Sequence, residues 1–117
     1  MIIKKCSKCG ALIKVFKDSN IMCCGEAMKE LVPNTFDAAF EKHVPEYEVV
    51  NDKVMVKVNH VMEEEHFIEW IAYSYEDRLE IDYLKPMEDA VAAFKYVSGA
   101  VIYAYCNKHE LWSKVVE

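Results

Sequence analysis

Nine residues of this 117-residue chain are of the types that bind transition metals through sulfur or imidazole nitrogen: five cysteines and four histidines. Four of the cysteines form one group. Cys6-x2-Cys9 is followed, thirteen residues on, by the adjacent pair Cys23-Cys24. A C-x-x-C turn can place two thiolates on one ion, and a second pair completes a tetrahedral set of four sulfurs that suits zinc or iron. Zinc there has a folding role, whereas iron is a one-electron centre. The spacing alone leaves these two metals open, and a vicinal disulfide at Cys23-Cys24 is a third reading. If both adjacent thiolates bind one ion, a wide, strained S–metal–S angle and a distorted tetrahedron are expected.

The second group gathers every histidine in the chain. Taken singly, His43, His60, His66 and His109 each read as ordinary loop or surface residues. Their placement says more. His43 lies just past a turn, His60 and His66 bracket a loop, and the fifth cysteine, Cys106, stands three residues before His109 in "YCNKHELW". Loops at strand ends are where a β-sandwich brings distant ligands together. Four imidazoles and one thiolate make a five-coordinate set. Zinc prefers four ligands, so five points to a redox metal, iron, with a sixth position open. A blue-copper site takes two histidines, one cysteine and a later methionine, and no methionine follows His109.

The elements that must carry these residues are short strands. In "EVVNDKVMVKV", Val54, Val56 and Val58 alternate with Lys53, Met55 and Lys57, and Asn51-Asp52 forms the turn before them. "ALIKVFK", "HFIEWIAYSY", "RLEIDYL", "AFKYV" and "AVIYAYC" read as further strands. "DAAFEKHVPEY" holds one helical turn, stopped by Pro45. "LVPNT" is the connector between two units, residues 1–35 and 36–117, with net charges of +3 and −9. The first is too small to fold without a metal or disulfides. The second reads as an antiparallel sandwich.

Composition narrows the function classes. With 53% hydrophobic residues the chain has material for a core. A net charge of −6 argues against a nucleic-acid partner. The longest apolar run, Ala100 to Cys106, is too short to span a bilayer, and "MIIKKCSKCG" has no signal-peptide pattern, so a soluble cytoplasmic protein is expected. Five cysteines in such a chain favour metal or redox chemistry over disulfides.

These residues resemble the desulfoferrodoxins, the two-iron superoxide reductases, along nearly the whole chain. "CSKC" with "CCG" is similar to the family's desulforedoxin-type domain. "EKHVP", "HVMEEEHFIEWI" and "YCNKHELW" are similar to its neelaredoxin-type catalytic domain. The resemblance implies an all-β chain: a small rubredoxin- or desulforedoxin-like metal domain followed by an immunoglobulin-like antiparallel β-sandwich. It implies two irons, one held by Cys6, Cys9, Cys23 and Cys24, with zinc possible at that site. The other is held by His43, His60, His66 and His109 as equatorial ligands and Cys106 as the axial one. Glu41 and Lys42 match the pair in the loop over the open iron position. The implied reaction is one-electron reduction of superoxide to hydrogen peroxide, with rubredoxin or a similar protein as electron donor and a homodimer as the assembly. Two positions depart from the family pattern: Val61 replaces a proline and Glu110 replaces a glycine. If the backbone at Glu110 needs φ > 0, Glu there is strained.

Overall fold

The structure, a computed structural model, describes all residues from Met1 to Glu117. The chain divides into two compact units, Met1–Val32 and Pro33–Glu117. It is almost entirely β. The single helical element is one 3-10 turn, Phe40–Lys42, where one helical turn before Pro45 is expected. No helix is long and apolar enough to cross a membrane.

The first unit has five short strands: β1 (Ile2–Lys5), β2 (Leu12–Val15), β3 (Met22–Cys23), β4 (Glu26–Ala27) and β5 (Lys29–Glu30). β1 lies between β2 and β5, antiparallel to both, and β3 and β4 form a separate hairpin. Only Ile3, Cys6, Val15, Met28 and Leu31 are apolar and buried. Lys4 is also buried, with Nζ donating to the carbonyl of Ser19 at 2.5 Å and pairing with Asp18 at 3.3 Å. So few buried side chains leave the unit dependent on a cross-link.

In the second unit, β6 (Glu46–Val50), β7 (Lys53–Lys57) and β10 (Val91–Lys95) form one antiparallel sheet in the order β10-β7-β6. β8 (Ile68–Tyr75), β9 (Arg78–Tyr83), β11 (Val101–Cys106) and β12 (Glu110–Val115) form the other, ordered β12-β11-β8-β9. The Asn51-Asp52 turn joins β6 to β7 with both residues at positive φ, as a two-residue hairpin loop of the primed type requires. The core lies between the sheets. Val54 and Val56 from β7 and Phe94 from β10 meet Ile71 and Tyr73 from β8 and Ile102 and Ala104 from β11. The rings of Tyr73 and Phe94 stack across the gap at 4.7 Å.

Two features depart from a simple strand pattern. Ile68 and Ile71 both face the core although three residues apart, because Glu69 is an extra residue opposite the Tyr105–Cys106 step. This bulge sits at the end of the sandwich where the ligand loops gather, and it aims the start of β8. The second is β12, a strand that is not among those read from the sequence. Its edge is tied down by Asn34: the Asn34 amide donates to Leu111 O at 3.0 Å, Nδ2 donates to Ser113 O at 3.2 Å, and Oδ1 accepts from Ser113 N–H at 2.9 Å.

Candidate metal centres

Cys6, Cys9, Cys23 and Cys24 bring their sulfurs within 4.8 Å of one another. Cys6 is buried at the end of β1, while Cys9 and Cys24 are exposed. Cys9 Sγ lies 3.7 Å and Cys24 Sγ 3.9 Å from Cys23 Sγ. Both distances are far above a disulfide bond of about 2.05 Å. They bracket the edge, about 3.8 Å, of a tetrahedron with metal–sulfur bonds of about 2.3 Å. The backbone at the adjacent pair curls sharply. Cys24 has φ +52° and Gly25 φ +78°, which makes the pair the two-residue loop of the β3–β4 hairpin. That curl lets adjacent side chains, which would alternate in a strand, share one side.

Protons are unevenly held among these thiols. Amides of Cys9 and Lys8 pull Cys6 down to about 6, whereas hydrogen bonds from the Cys6, Cys9 and Cys24 sulfurs push Cys23 up to about 12. Four thiolates at this spacing need a cation between them.

The second centre is assembled from loops at one end of the sandwich. His43 follows the 3-10 turn, His60 and His66 lie between β7 and β8, Cys106 ends β11, and His109 sits in the β11–β12 turn. Their donor atoms also lie within 4.8 Å of one another. Three of the four histidines are held by their surroundings. His43 Nδ1–H donates to Ala39 O at 2.7 Å and the ring stacks on the buried Trp112 at 4.7 Å. His60 Nδ1–H donates to Val61 O at 2.5 Å. Val61 thus serves through its carbonyl, which a proline would equally supply. Trp112 Nε1–H donates to His109 O at 2.9 Å.

What remains points inward. His43 Nε2 faces His109 Nδ1 at 2.9 Å, and His60 Nε2 lies 3.3 Å from Cys106 Sγ. His66 Nε2 is buried with no hydrogen-bond partner. A spacing of 2.9 Å is that of two nitrogens bonded at right angles to one ion at about 2.1 Å. Burial holds His43, His60 and His66 below the ordinary imidazole range, which keeps their lone pairs available near neutral pH. Burial pushes the Cys106 thiol up, opposed by the Lys108 and His109 amides aimed at its sulfur. The orphaned His66 nitrogen and the desolvated thiol are both resolved by one cation in the middle.

Comparison with known proteins agrees. The sequence model of the desulfoferrodoxin family matches residues 35–115. The chain belongs to the desulfoferrodoxin family. It is 40% identical to a desulfoferrodoxin from Syntrophotalea carbinolica, over 95% of this chain and 93% of that one. It is also 40% identical to a desulfoferrodoxin homolog from Archaeoglobus fulgidus, over 96% and 94%. In structure it resembles the superoxide reductase from Treponema pallidum, with a TM-score of 0.72, 27% identity, and coverage of 96% of this chain and 98% of that one. The four-cysteine group and the group of four histidines and one cysteine fit the two iron sites of desulfoferrodoxins.

The residues named for the entrance lie apart. Lys42 lines a groove of about 770 Å³ together with Lys57, His60, Met62, Met87 and Glu88. Glu41, its neighbour in the 3-10 turn, instead lines a separate hollow with Phe40, Pro45, Tyr47 and Lys114, and it is not among the five convergent donors. Sequence reasoning missed Trp112, which touches two ligand residues. Its only signal is an aromatic three residues after His109. Glu110 has φ +66°, so the family's glycine position does need the left-handed backbone.

Proposed function

We propose that the chain is a superoxide reductase. It reduces superoxide by one electron, with two protons, to hydrogen peroxide at the His43, His60, His66, His109 and Cys106 centre. Rubredoxin or a similar small redox protein returns the electron. The carrying observation is that five donors converge, four imidazole nitrogens and one sulfur, where a closed zinc site would take four. Iron held by these five residues would supply the electron. The protein's own groups set the field around it. Four neutral imidazoles add no charge and one thiolate subtracts one, so a ferrous site keeps a net +1. This opposes the chain's overall −6 at short range. Lys42, exposed in the groove beside His60, adds a positive charge on the approach and orders the water that delivers protons. Amides of Lys108 and His109 hold the Cys106 sulfur in place, where it would be one of the metal's five donors. We assign Glu41 the role of capping the oxidised metal, which requires the 3-10 turn to swing it out of its hollow.

Two attributes belong to the same proposal. All five cysteines are free thiols, as in a reducing cytoplasm. A homodimer is supported by the β9 edge of the second sheet, where the exposed Ile81 and Tyr83 pair with Ala72 and the half-buried Trp70. The function is tested by iron analysis combined with peroxide yield. Two irons per chain, and one peroxide per superoxide with donor consumed, are expected. Half a peroxide per superoxide with the donor untouched would refute reduction.

A further inference from the structure

Three of the four imidazoles are fixed by a bond or a neighbour of their own. His43 is fixed by Ala39 and Trp112, His60 by Val61, and His109 by its amide on Cys106 Sγ at 3.4 Å and by Phe36 at 5.5 Å. His66 differs. Its Nε2 is orphaned, and its ring meets only the rings of His60 and His109, at 4.6 Å and 5.0 Å. Its backbone makes a local pairing with Glu63, which shapes the turn without anchoring it to the sandwich. The anchor comes from the other ligand loop. Asn107, between Cys106 and His109, accepts from the Phe67 N–H through Oδ1 at 3.0 Å and donates through Nδ2 to Glu65 O at 2.9 Å. Its own amide donates to Phe67 O at 3.3 Å. These bonds grip the residue before His66 and the residue after it.

We infer that Asn107 is the positioning residue for His66: its side-chain amide grips the backbone on either side of a ring whose inward-facing Nε2 makes no hydrogen bond of its own. The two halves of the amide do different work. Oδ1 can only accept and Nδ2 can only donate, so the flanking Phe67 N–H and Glu65 C=O are read in one register. A slip of the loop by one residue breaks both bonds and turns the imidazole away. Outer-shell partners of metal-binding histidines are worth about 10–100-fold in metal affinity. Here that partner reaches the ligand through main chain.

The inference rests on the metal-site reading, and cobalt tests the two separately. Cobalt(II) is loaded into the full chain, with the four-cysteine centre as internal reference. Asn107→Ala is expected to weaken cobalt at the histidine-rich site about 10–100-fold. It should also shift that site's visible absorption and leave the bands of the four-cysteine centre unchanged. In the metal-free protein the Phe67 amide should exchange faster. Asn34→Gly removes a similar two-bond asparagine clamp, on Ser113, and keeps the φ of +64° accessible. It should leave both cobalt spectra unchanged, which separates positioning from general stability. If Asn107→Ala does not fold, Asn107→Asp decides: it keeps the acceptor for Phe67 and loses the donor to Glu65. Parent-like affinity and spectrum in whichever variant folds would overturn the inference. No cobalt uptake at the histidine-rich site in the parent would instead overturn the metal-site reading, while Phe67 exchange would still report on the clamp.

Discussion

The two metal centres are built in opposite ways. The four-cysteine centre draws its ligands from 19 consecutive residues, Cys6 to Cys24, and two of its four sulfurs are exposed. Its unit buries little apolar surface of its own. The histidine-rich centre draws on residues from His43 to His109, contributed by four segments that a separate core already holds together. Cys106 is 0% exposed and His43 4%. In the first unit a bound metal would supplement a core of only five buried apolar side chains. In the second it is cargo seated at one end of a finished sandwich. The physics assigns folding to the first ion and chemistry to the second.

Removing the metals is the most severe way to break this contrast. Chelation should unfold the first unit and leave the second standing. Amides of β1 and β2 are expected to lose exchange protection entirely, while those of Val54, Ile71 and Ile102 keep theirs. Protection surviving in metal-free β1 would show that the small unit folds unaided. The converse test is Ile71→Ala, at a side chain 0% exposed. It should cost the sandwich about 2–5 kcal/mol, read from its denaturant midpoint, and leave the absorption of the four-cysteine centre intact. A loss below about 1 kcal/mol would mean that packing is not what holds the second unit together.

How far the sequence carries differs between the two regions for the same reason. The alternation of Val54, Val56 and Val58 is legible because β7 has one wet face and one dry face. The ligand set is legible because histidine and cysteine are scarce and chemically distinctive. β12 is not legible: Leu111 and Trp112 are both buried, on opposite faces, so no alternation survives. The Glu69 bulge is equally silent, since it shifts the parity of β8 without changing its composition. Two-residue strands such as β3 and β4 are too short to show any alternation. Adjacency of Glu41 and Lys42 in sequence likewise hides that their side chains line different hollows.

Because the sandwich has a buried core of its own, charge at the second site can be altered without unfolding it. Lys42→Ala should keep two irons per chain yet slow superoxide capture by about 3- to 10-fold at low salt, with a flatter dependence on ionic strength. Pulse radiolysis at two salt concentrations measures this. Unchanged capture at both would remove Lys42 from the approach path and leave Lys57, on the same groove, as the local cation to examine.

The smallest expected effect is also a test of where strain is kept. Glu110 opens β12 one residue after His109 and pairs with Cys106 across the strands, at φ +66°. A side chain with a Cβ costs about 1 kcal/mol or more in that region, and glycine does not. Asn34, Asn51 and Asp52 tolerate positive φ better; Glu76 and Met87 carry similar strain elsewhere in the sandwich, but only Glu110 carries it beside the histidine-rich site. Glu110→Gly should therefore raise the sandwich's stability by about 1 kcal/mol, less a few tenths for the added freedom of the unfolded chain. For a unit of this size that is about 4–8 °C in Tm. The first unit should not respond. The absorption of the histidine-rich site should also stay the same, because His109 and Cys106 are held by Trp112 and by their own amides. A higher Tm with an unchanged spectrum would place the strain in the turn alone. A shifted spectrum would show that the Glu110 backbone helps set the Cys106 sulfur.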